Sequence, residues 1–324
     1  MFFQRRQTRP GISRRCIRAK TGPSSQSLKQ FVTTTACILC LLTALPGSAE
    51  GISATGSDGV TVTLPQPAQR IIALAPHLAE NLFAAGAGDA LVATVEYSDY
   101  PAAARNIPRI GGYNSLSIEA MVAHRPDLVL AWGSGTGNKI VRRLREFGIP
   151  VYTDEIRRLA DIPASLRAIG RLSGTERSAA RSIKRFEQGL AALEDASTGS
   201  MPLGVFYQIW HDPLQTIGGE HLISEVIALC GGHNIFNDMR GLAPRISRES
   251  VLLRNPDVIV ASGSSQKVTN WLSQWRSVPG LRAVQADALY VINPDLIERP
   301  TPRLLYGARQ LCAKLDGARQ ALAD

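Results

Sequence analysis

Ser117-Ile-Glu-Ala-Met-Val-Ala-His-Arg-Pro-Asp-Leu-Val-Leu-Ala-Trp-Gly133 is answered, 130 residues later, by Ser247-Arg-Glu-Ser-Val-Leu-Leu-Arg-Asn-Pro-Asp-Val-Ile-Val-Ala-Ser-Gly263. Ser117/Ser247, Glu119/Glu249, Pro126/Pro256, Asp127/Asp257, Ala131/Ala261 and Gly133/Gly263 coincide without a gap, and most other positions pair apolar with apolar. Each copy reads as a short helix, a Pro-Asp turn and an apolar run, Leu128–Ala131 or Val258–Ala261. A continuous apolar run between turn signals fits a strand buried on both faces, as in a parallel sheet covered by helices. Two related α/β lobes follow.

The flanking sequence supplies the rest of each lobe. Val60–Leu64 alternates after Gly59 and predicts a leading hairpin. Arg70–Ala75, Leu91–Val95 and Val151–Thr153 read as strands of the first lobe. Leu78–Ala85 and Asn138–Phe147 read as helices closed by Gly86 and Gly148. Leu203–Ile209 and Ala288–Ile292 read as strands of the second lobe. Between them Asp161–Leu193 offers no strand, and Thr175–Leu193 places Ala179, Ile183, Phe186, Leu190 and Leu193 on one helical face. The expected division is a leader over residues 1–49, an N-terminal lobe over 50–160, a stiff helical connection over 161–197 and a C-terminal lobe over 198–324.

The chain has 324 residues, 36 Lys+Arg against 27 Asp+Glu and a formal charge of +9. Eight of the basic residues and none of the acids lie in residues 1–49, ahead of the apolar run Phe31–Leu45 and Pro46-Gly47-Ser48-Ala49. A basic region, an apolar core and small residues before a cut after Ala49 describe a cleavable secretory signal peptide. The run of 15 residues is shorter than the ~20 of a membrane-spanning helix. Without the leader the chain holds 28 basic and 27 acidic residues, so the excess charge that would attract nucleic acid is gone. Cys16, Cys37 and Cys40 leave with it. Cys230 and Cys312 remain, either as one disulfide of an exported protein or as two buried thiols.

Enzyme signatures are missing. There is no phosphate-binding Gly-x-x-x-x-Gly-Lys-Ser/Thr, no His-Glu-x-x-His and no Gly-x-Ser-x-Gly. Gly133-Ser-Gly-Thr-Gly137 has its third glycine one residue early for a dinucleotide loop and reads as a flexible loop at a cleft edge. The five histidines show no metal-ligand spacing. Aromatic and polar residues gather instead where strands end, which is where α/β lobes bind ligands. Tyr97, Asp99 and Tyr100 follow one strand, Trp132 ends another, Trp210 and His211 end a third, Asp295 and Arg299 follow a fourth, and Tyr113 precedes the first repeat helix. A cleft so lined suits a large, flat, partly apolar ligand.

Six segments together resemble one family. They are Tyr97-Ser-Asp-Tyr-Pro101, Ser117-x-Glu-x-x-Val-x-x-x-Pro-Asp-Leu-Val129, Cys230-Gly-Gly-x-Asn-Ile-Phe236, Ser247-Arg-Glu249, Glu298-Arg-x-x-Pro-Arg303 and Gln310-Leu-Cys312. Over about residues 68–316 the chain resembles the periplasmic vitamin B12-binding proteins, the substrate-binding components of cobalamin ABC importers. The resemblance implies an α/β chain of two Rossmann-like lobes joined by a single long helix, with the ligand cleft between them. It implies a disulfide between Cys230 and Cys312, and a cobalamin cleft of Tyr97, Tyr113, Trp132, Asp295 and Arg299. Tyr113 stands where the family carries Trp, Ala243 stands where another pocket Trp would be, and the Trp210 loop differs, with His211 a departure. One glutamate on each lobe, Glu119 and Glu249, would meet arginines of the permease subunits. An acid in a helix's first turn also offsets the helix dipole, and both roles are compatible.

The implied protein is a monomeric binding protein with no catalytic residues, no resident metal and no cofactor apart from its corrinoid ligand. The alternative on the same fold is haem or a ferric siderophore. Haem iron would take an axial ligand from His77, His211, Tyr97 or Tyr113. A siderophore would want several basic residues in the cleft, where only Arg299 is placed. An exported enzyme would show an acid–base or nucleophile pair, and a receptor for a small metal ion three or four converging His, Asp or Glu ligands.

Overall fold

The computed structural model describes residues 51–112, 115–263 and 265–323; the expected signal peptide and Tyr113 lie outside the described residues. A two-stranded antiparallel hairpin leads, β1 (Ile52–Thr55) with β2 (Thr61–Leu64). The N-terminal lobe continues through β3 (Ile71–Ala73), α1 (Pro76–Ala84), β4 (Leu91–Thr94), α2 (Ile118–Ala123), β5 (Leu128–Trp132), α3 (Asn138–Glu146) and β6 (Val151–Asp154). Two helices follow, α4 (Asp161–Ser173) and α5 (Glu176–Ser197). The C-terminal lobe holds β7 (Leu203–Trp210), β8 (Gln215–Thr216), α6 (Leu222–Leu229), β9 (Gly232–Asn234), α7 (Arg248–Arg254) and β10 (Val258–Ser262). It closes with α8 (Ser265–Arg276), α9 (Arg282–Gln285), β11 (Leu289–Ile292), α10 (Pro294–Ile297) and α11 (Leu304–Ala323).

The repeat is a repeat of topology. The first sheet runs β4-β3-β5-β6, all parallel. In the second, β9-β7-β10-β11 reproduces the same parallel order, and β8 adds one short antiparallel strand beside the far half of β7. β5 and β10 are the strands predicted from the two copies, and they lie in the interior of their sheets with Leu128–Ala131 and Val258–Ala261 buried.

The invariant Pro-Asp has a job in each lobe. Asp127 accepts hydrogen bonds from the backbone N–H groups of Gln69 (2.8 Å) and Arg70 (2.9 Å), while its own N–H donates to the Arg70 carbonyl (3.0 Å). Asp257 accepts from Gly204 N–H (2.7 Å) and donates to the Gly204 carbonyl (2.8 Å). The aspartate thus satisfies the entering end of the neighbouring strand, where the ladder has not yet begun. The residues before the prolines, Arg125 and Asn255, share a left-handed backbone with φ of 47° and 41°. The repeated serines are N-caps: Ser117 accepts from Ala120 N–H (3.1 Å) and Ser247 from Ser250 N–H (3.2 Å).

The connection expected over residues 161–197 is two helices with different roles. Gly174 ends α4 at φ 68°, the left-handed conformation that glycine adopts without steric cost. α4 packs on α1 and β1, and the Leu172 carbonyl accepts from Ala68 N–H (2.8 Å), so α4 completes the N-terminal lobe. α5 alone joins the lobes. Its Ala179, Ile183 and Phe186 are buried, Ser182 donates to the Ala84 carbonyl at the end of α1 (2.6 Å), and Ser197 donates to the Leu229 carbonyl at the end of α6 (2.5 Å). At Gly189 a Cβ would lie 2.6 Å from Leu305 Cδ1, so the missing side chain lets α5 and α11 approach closely. The apolar core is continuous from one lobe to the other through this helix. Cys230 and Cys312 form the disulfide that ties the end of α6 to α11, 82 residues away in the chain. Among the described residues no helix is long and apolar enough to cross a membrane.

Replacing Asp127 or Asp257 by Ala removes charge-assisted hydrogen bonds from strand ends, one exposed and one buried. Each substitution is expected to lower unfolding stability in urea by about 1.5–3 kcal/mol, and a loss below 0.5 kcal/mol at both sites would refute the stapling role.

Candidate functional site

The carboxyl ends of both parallel sheets supply the walls of the cleft. On the N-terminal side Trp132 ends β5 and lies across the glycine loop that follows. A Cβ at residue 135 would overlap the Trp132 ring, so Gly135 is the shelf on which the indole rests. Thr136 Oγ1 accepts from Trp132 N–H (2.8 Å), and Glu155 accepts from Ser134 N–H (2.7 Å) and Ser134 Oγ (3.1 Å). The loop expected to be flexible is therefore tied at both sides, and its middle glycine, Gly135, makes room for an aromatic side chain.

His77, near the start of α1, meets Trp132 edge to face with ring centroids 5.4 Å apart. Burial first, and the Arg299 guanidinium second, push the His77 imidazole down to about 4, so it is neutral at physiological pH. Arg299, a residue of the other lobe, reaches α1 one turn on, where it bonds Glu80 (2.7 Å). Tyr97 follows β4 with φ 64° and is 77% exposed. A bulky residue held in left-handed backbone costs free energy, and here the ring is not repaid by burial in the core.

On the C-terminal side Asp295 and Arg299 lie on and just after α10, which follows β11. Arg299 is only 14% exposed and bonds three carboxylates: Glu80 (2.7 Å) and Asp99 (3.0 Å) across the lobes, and Asp295 (2.7 Å) on its own. Glu80, in α1, has a side chain 2% exposed and also holds Arg303 through Nη2 (2.7 Å) and Nε (3.1 Å), with the Thr301 hydroxyl donating at 3.2 Å. Burial raises the Glu80 carboxyl above its ordinary value, against the opposing pull of both arginines. For Asp99 burial acts upward too, but the hydrogen bond and charge of Arg299 leave it below the usual range. The Arg303 guanidinium covers the Tyr100 ring at 4.0 Å. Asp99 and Tyr100, read from the sequence as part of the lining, are spent on C-terminal-lobe arginines.

The second aromatic wall is richer than the sequence reading. Trp210 is half exposed, and His211 stacks on Trp271 of α8 with centroids 5.8 Å apart and planes 13° from parallel. Trp210 meets the same Trp271 at 6.1 Å. These rings, with Pro294, Ser262 and Glu298, line a cavity of about 490 Å³. Ser262 Oγ donates to Glu298, whose carboxyl burial pushes up. Ala243 is exposed, and the tryptophan of this wall comes from α8 instead. The His211 ring nitrogens face the side-chain amide nitrogens of Gln208 (3.4 Å) and Gln274 (3.1 Å). The Gln208 oxygen accepts from Trp275 (2.8 Å) and the Gln274 oxygen from Arg248 (3.2 Å). The two glutamines and Trp271 together fix the plane of the His211 ring.

Glu119 and Glu249 are the paired acids of the two repeat helices. Each is exposed near the start of its repeat helix, α2 or α7. Ser117 Oγ donates to Glu119 (3.1 Å), and hydrogen bonds from its own backbone N–H and from Ser247 hold Glu249 below its ordinary value.

Sequence reasoning placed Trp132, Trp210, His211, Asp295 and Arg299 at strand ends and missed Glu80 and Trp271. An acid amid Leu78, Ala79 and Leu82 of an apolar helix was the available signal for Glu80. For Trp271 the signal was its spacing of four from Trp275 on a helix.

A family model for periplasmic binding proteins matches residues 71–296. The chain belongs to the periplasmic binding protein family. It is 36% identical over 251 residues to the vitamin B12-binding protein of Vibrio cholerae, covering 78% of this chain and 90% of that protein. It is also 36% identical over 255 residues to the vitamin B12-binding protein of Yersinia pestis, covering 78% and 89%. The crystal structure of the periplasmic vitamin B12 binding protein of Vibrio cholerae superposes with a TM-score of 0.72 over 78% of this chain and 99% of that one. A periplasmic haem binding protein of Vibrio cholerae, 22% identical, shares the fold with a TM-score of 0.68 over 76% and 98%.

The neutral state of His77 has a pH consequence. Its folded value lies below the unfolded 6.5, so the unfolded chain binds the extra proton between about pH 6.5 and 4. The stability His77 contributes is complete above pH 6.5 and is lost as pH falls toward 4. Urea midpoints of wild type and His77→Gln should run parallel above pH 7 and converge as pH falls below 6.5; parallel curves down to pH 4.5 would overturn this assignment.

Proposed function

We propose that this chain captures cobalamin or a related corrinoid in the periplasm and delivers it to the permease subunits of an inner-membrane ABC importer. The observation that carries the reading is the cleft itself. Tyr97, Trp132, Asp295 and Arg299 stand at the strand ends of two lobes in a chain 36% identical, across nearly all of their length, to vitamin B12-binding proteins. Aromatic faces on opposite walls suit a large macrocycle, and the few polar groups between them would orient its edge. Trp210, His211 and Trp271 form the C-terminal wall. Tyr113 belongs to the same expected lining. The chain would be exported by a cleavable leader cut after Ala49 and act as a monomer without catalytic residues.

The test is titration of the processed protein with cyanocobalamin, cobinamide and haemin by calorimetry. Corrinoid binding with Trp132→Ala weaker by about 0.5–1.5 kcal/mol beyond the lost area supports the reading. Tight haemin binding without corrinoid binding would replace it with the second reading, haem capture. One observation favours that alternative: the neutral imidazole of His77 beside Trp132.

Docking would use Glu119 and Glu249. Topologically equivalent acids on two lobes match a transporter with two related halves, each acid meeting an arginine. Reversing both charges to Arg should abolish uptake in cells while leaving corrinoid affinity unchanged; undiminished transport would exclude these residues as the docking pair.

A further inference from the structure

Three carboxylates surround the Arg299 guanidinium, and they are not equivalent. Asp295 is on the same lobe, four residues away, so it cannot constrain one lobe against the other. Asp99 crosses between the lobes but is 49% exposed, where water competes for the pair and screens it. Glu80 crosses between the lobes from within the protein, with a side chain 2% exposed. Its two oxygens are filled by Arg299 Nη1, Arg303 Nη2 and Nε, and Thr301 Oγ1. The bidentate grip on Arg303 sets the plane of the carboxylate, and that plane sets where Arg299 lies. One residue on, Asn81 Nδ2 donates to the Pro300 carbonyl (3.2 Å), so the α1 turn that carries Glu80 grips the segment before α11 at two points.

We propose that Glu80 is a positioning residue: from the N-terminal lobe it fixes Arg299 of the C-terminal lobe, and so presets both the gap between the lobes and the aim of the arginine at the ligand. The inference rests on the reading that Arg299 faces the bound ligand. Asp99 and Asp295 then act as exchangeable partners at the cleft mouth, which a ligand can displace from the guanidinium while Glu80 keeps its hold. A binding protein built this way meets its ligand with the cleft already formed.

The test is a cycle of Glu80→Gln, Arg299→Ala and the double variant, with Asp99→Asn as the exposed comparison. Each is titrated with cyanocobalamin and melted. Glu80→Gln should weaken binding about tenfold or more, as expected when a charged hydrogen bond is lost, and Asp99→Asn less than about threefold. In the Arg299→Ala background Glu80→Gln should cost no further affinity, although it lowers the melting temperature in both backgrounds. Equal affinity losses in the two backgrounds, or a lowered melting temperature with unchanged affinity, would overturn the positioning role. If Glu80→Gln does not fold, Glu80→Asp keeps the charge but withdraws it from Arg299, and the same cycle applies. If wild type binds haemin and not cyanocobalamin, the corrinoid reading fails and the cycle is run with haemin. Small-angle scattering of the ligand-free proteins tests the preset gap without any ligand: Glu80→Gln should broaden the inter-lobe distances and Asp99→Asn should not. Identical curves for wild type and Glu80→Gln would sink the proposal.

Discussion

A single carboxylate, that of Glu80, sits out of water between two arginines of the other lobe. Removing a charge from solvent is costly, and the cost is offset only where opposite charge and hydrogen bonds fill every lone pair. Here four donors do so, and all four come from residues 299–303. The N-terminal lobe is therefore complete only when the C-terminal lobe is in place. A second, more exposed bridge lies on another flank: Glu225 of α6 accepts from Leu159 N–H (2.7 Å) and Arg158 Nε (3.1 Å), at the N-terminal lobe's exit into α4. With α5 packed along both lobes, these contacts hold one geometry of the cleft.

That geometry gives the aromatic walls their value. Trp132 rests on Gly135, and its strand end is held by Thr136, so the ring is presented by rigid backbone. His211 and Trp271 support each other, and Gln208 and Gln274 fix the imidazole in turn. Flat faces held in advance lose little freedom when a flat ligand arrives, which is the physical basis of preorganised binding. Tyr97 is the contrast, strained in backbone and bare to solvent at the cleft mouth.

Much of the fold was legible because its signals are local. Strands β5 and β10 are continuous apolar runs after Pro-Asp, and Ser117 and Ser247 announce the helices before them. The division of residues 161–197 into α4 and α5 was not, although Gly174 was in view: an apolar periodicity runs on both sides of it, and only packing assigns α4 to one lobe and α5 to both. Strand ends placed Trp132, Trp210, Asp295 and Arg299 correctly in the chain. What those side chains bond was illegible, because Asp99 and Arg299 are 200 residues apart and Glu80 and Arg303 are 223 apart.

The sequence by itself determined the two-lobe α/β plan, since repeated spacing and buried-strand composition act over a few residues and need no partner to be read. It also determined which residues lie at the carboxyl ends of the strands. Only the tertiary structure decided that Arg299 is held by Glu80 from across the cleft, that Trp271 joins the second wall, and that His211 stacks on Trp271 between two glutamines. These are questions of distance and desolvation between residues far apart in the chain, and neither quantity exists until the lobes are packed.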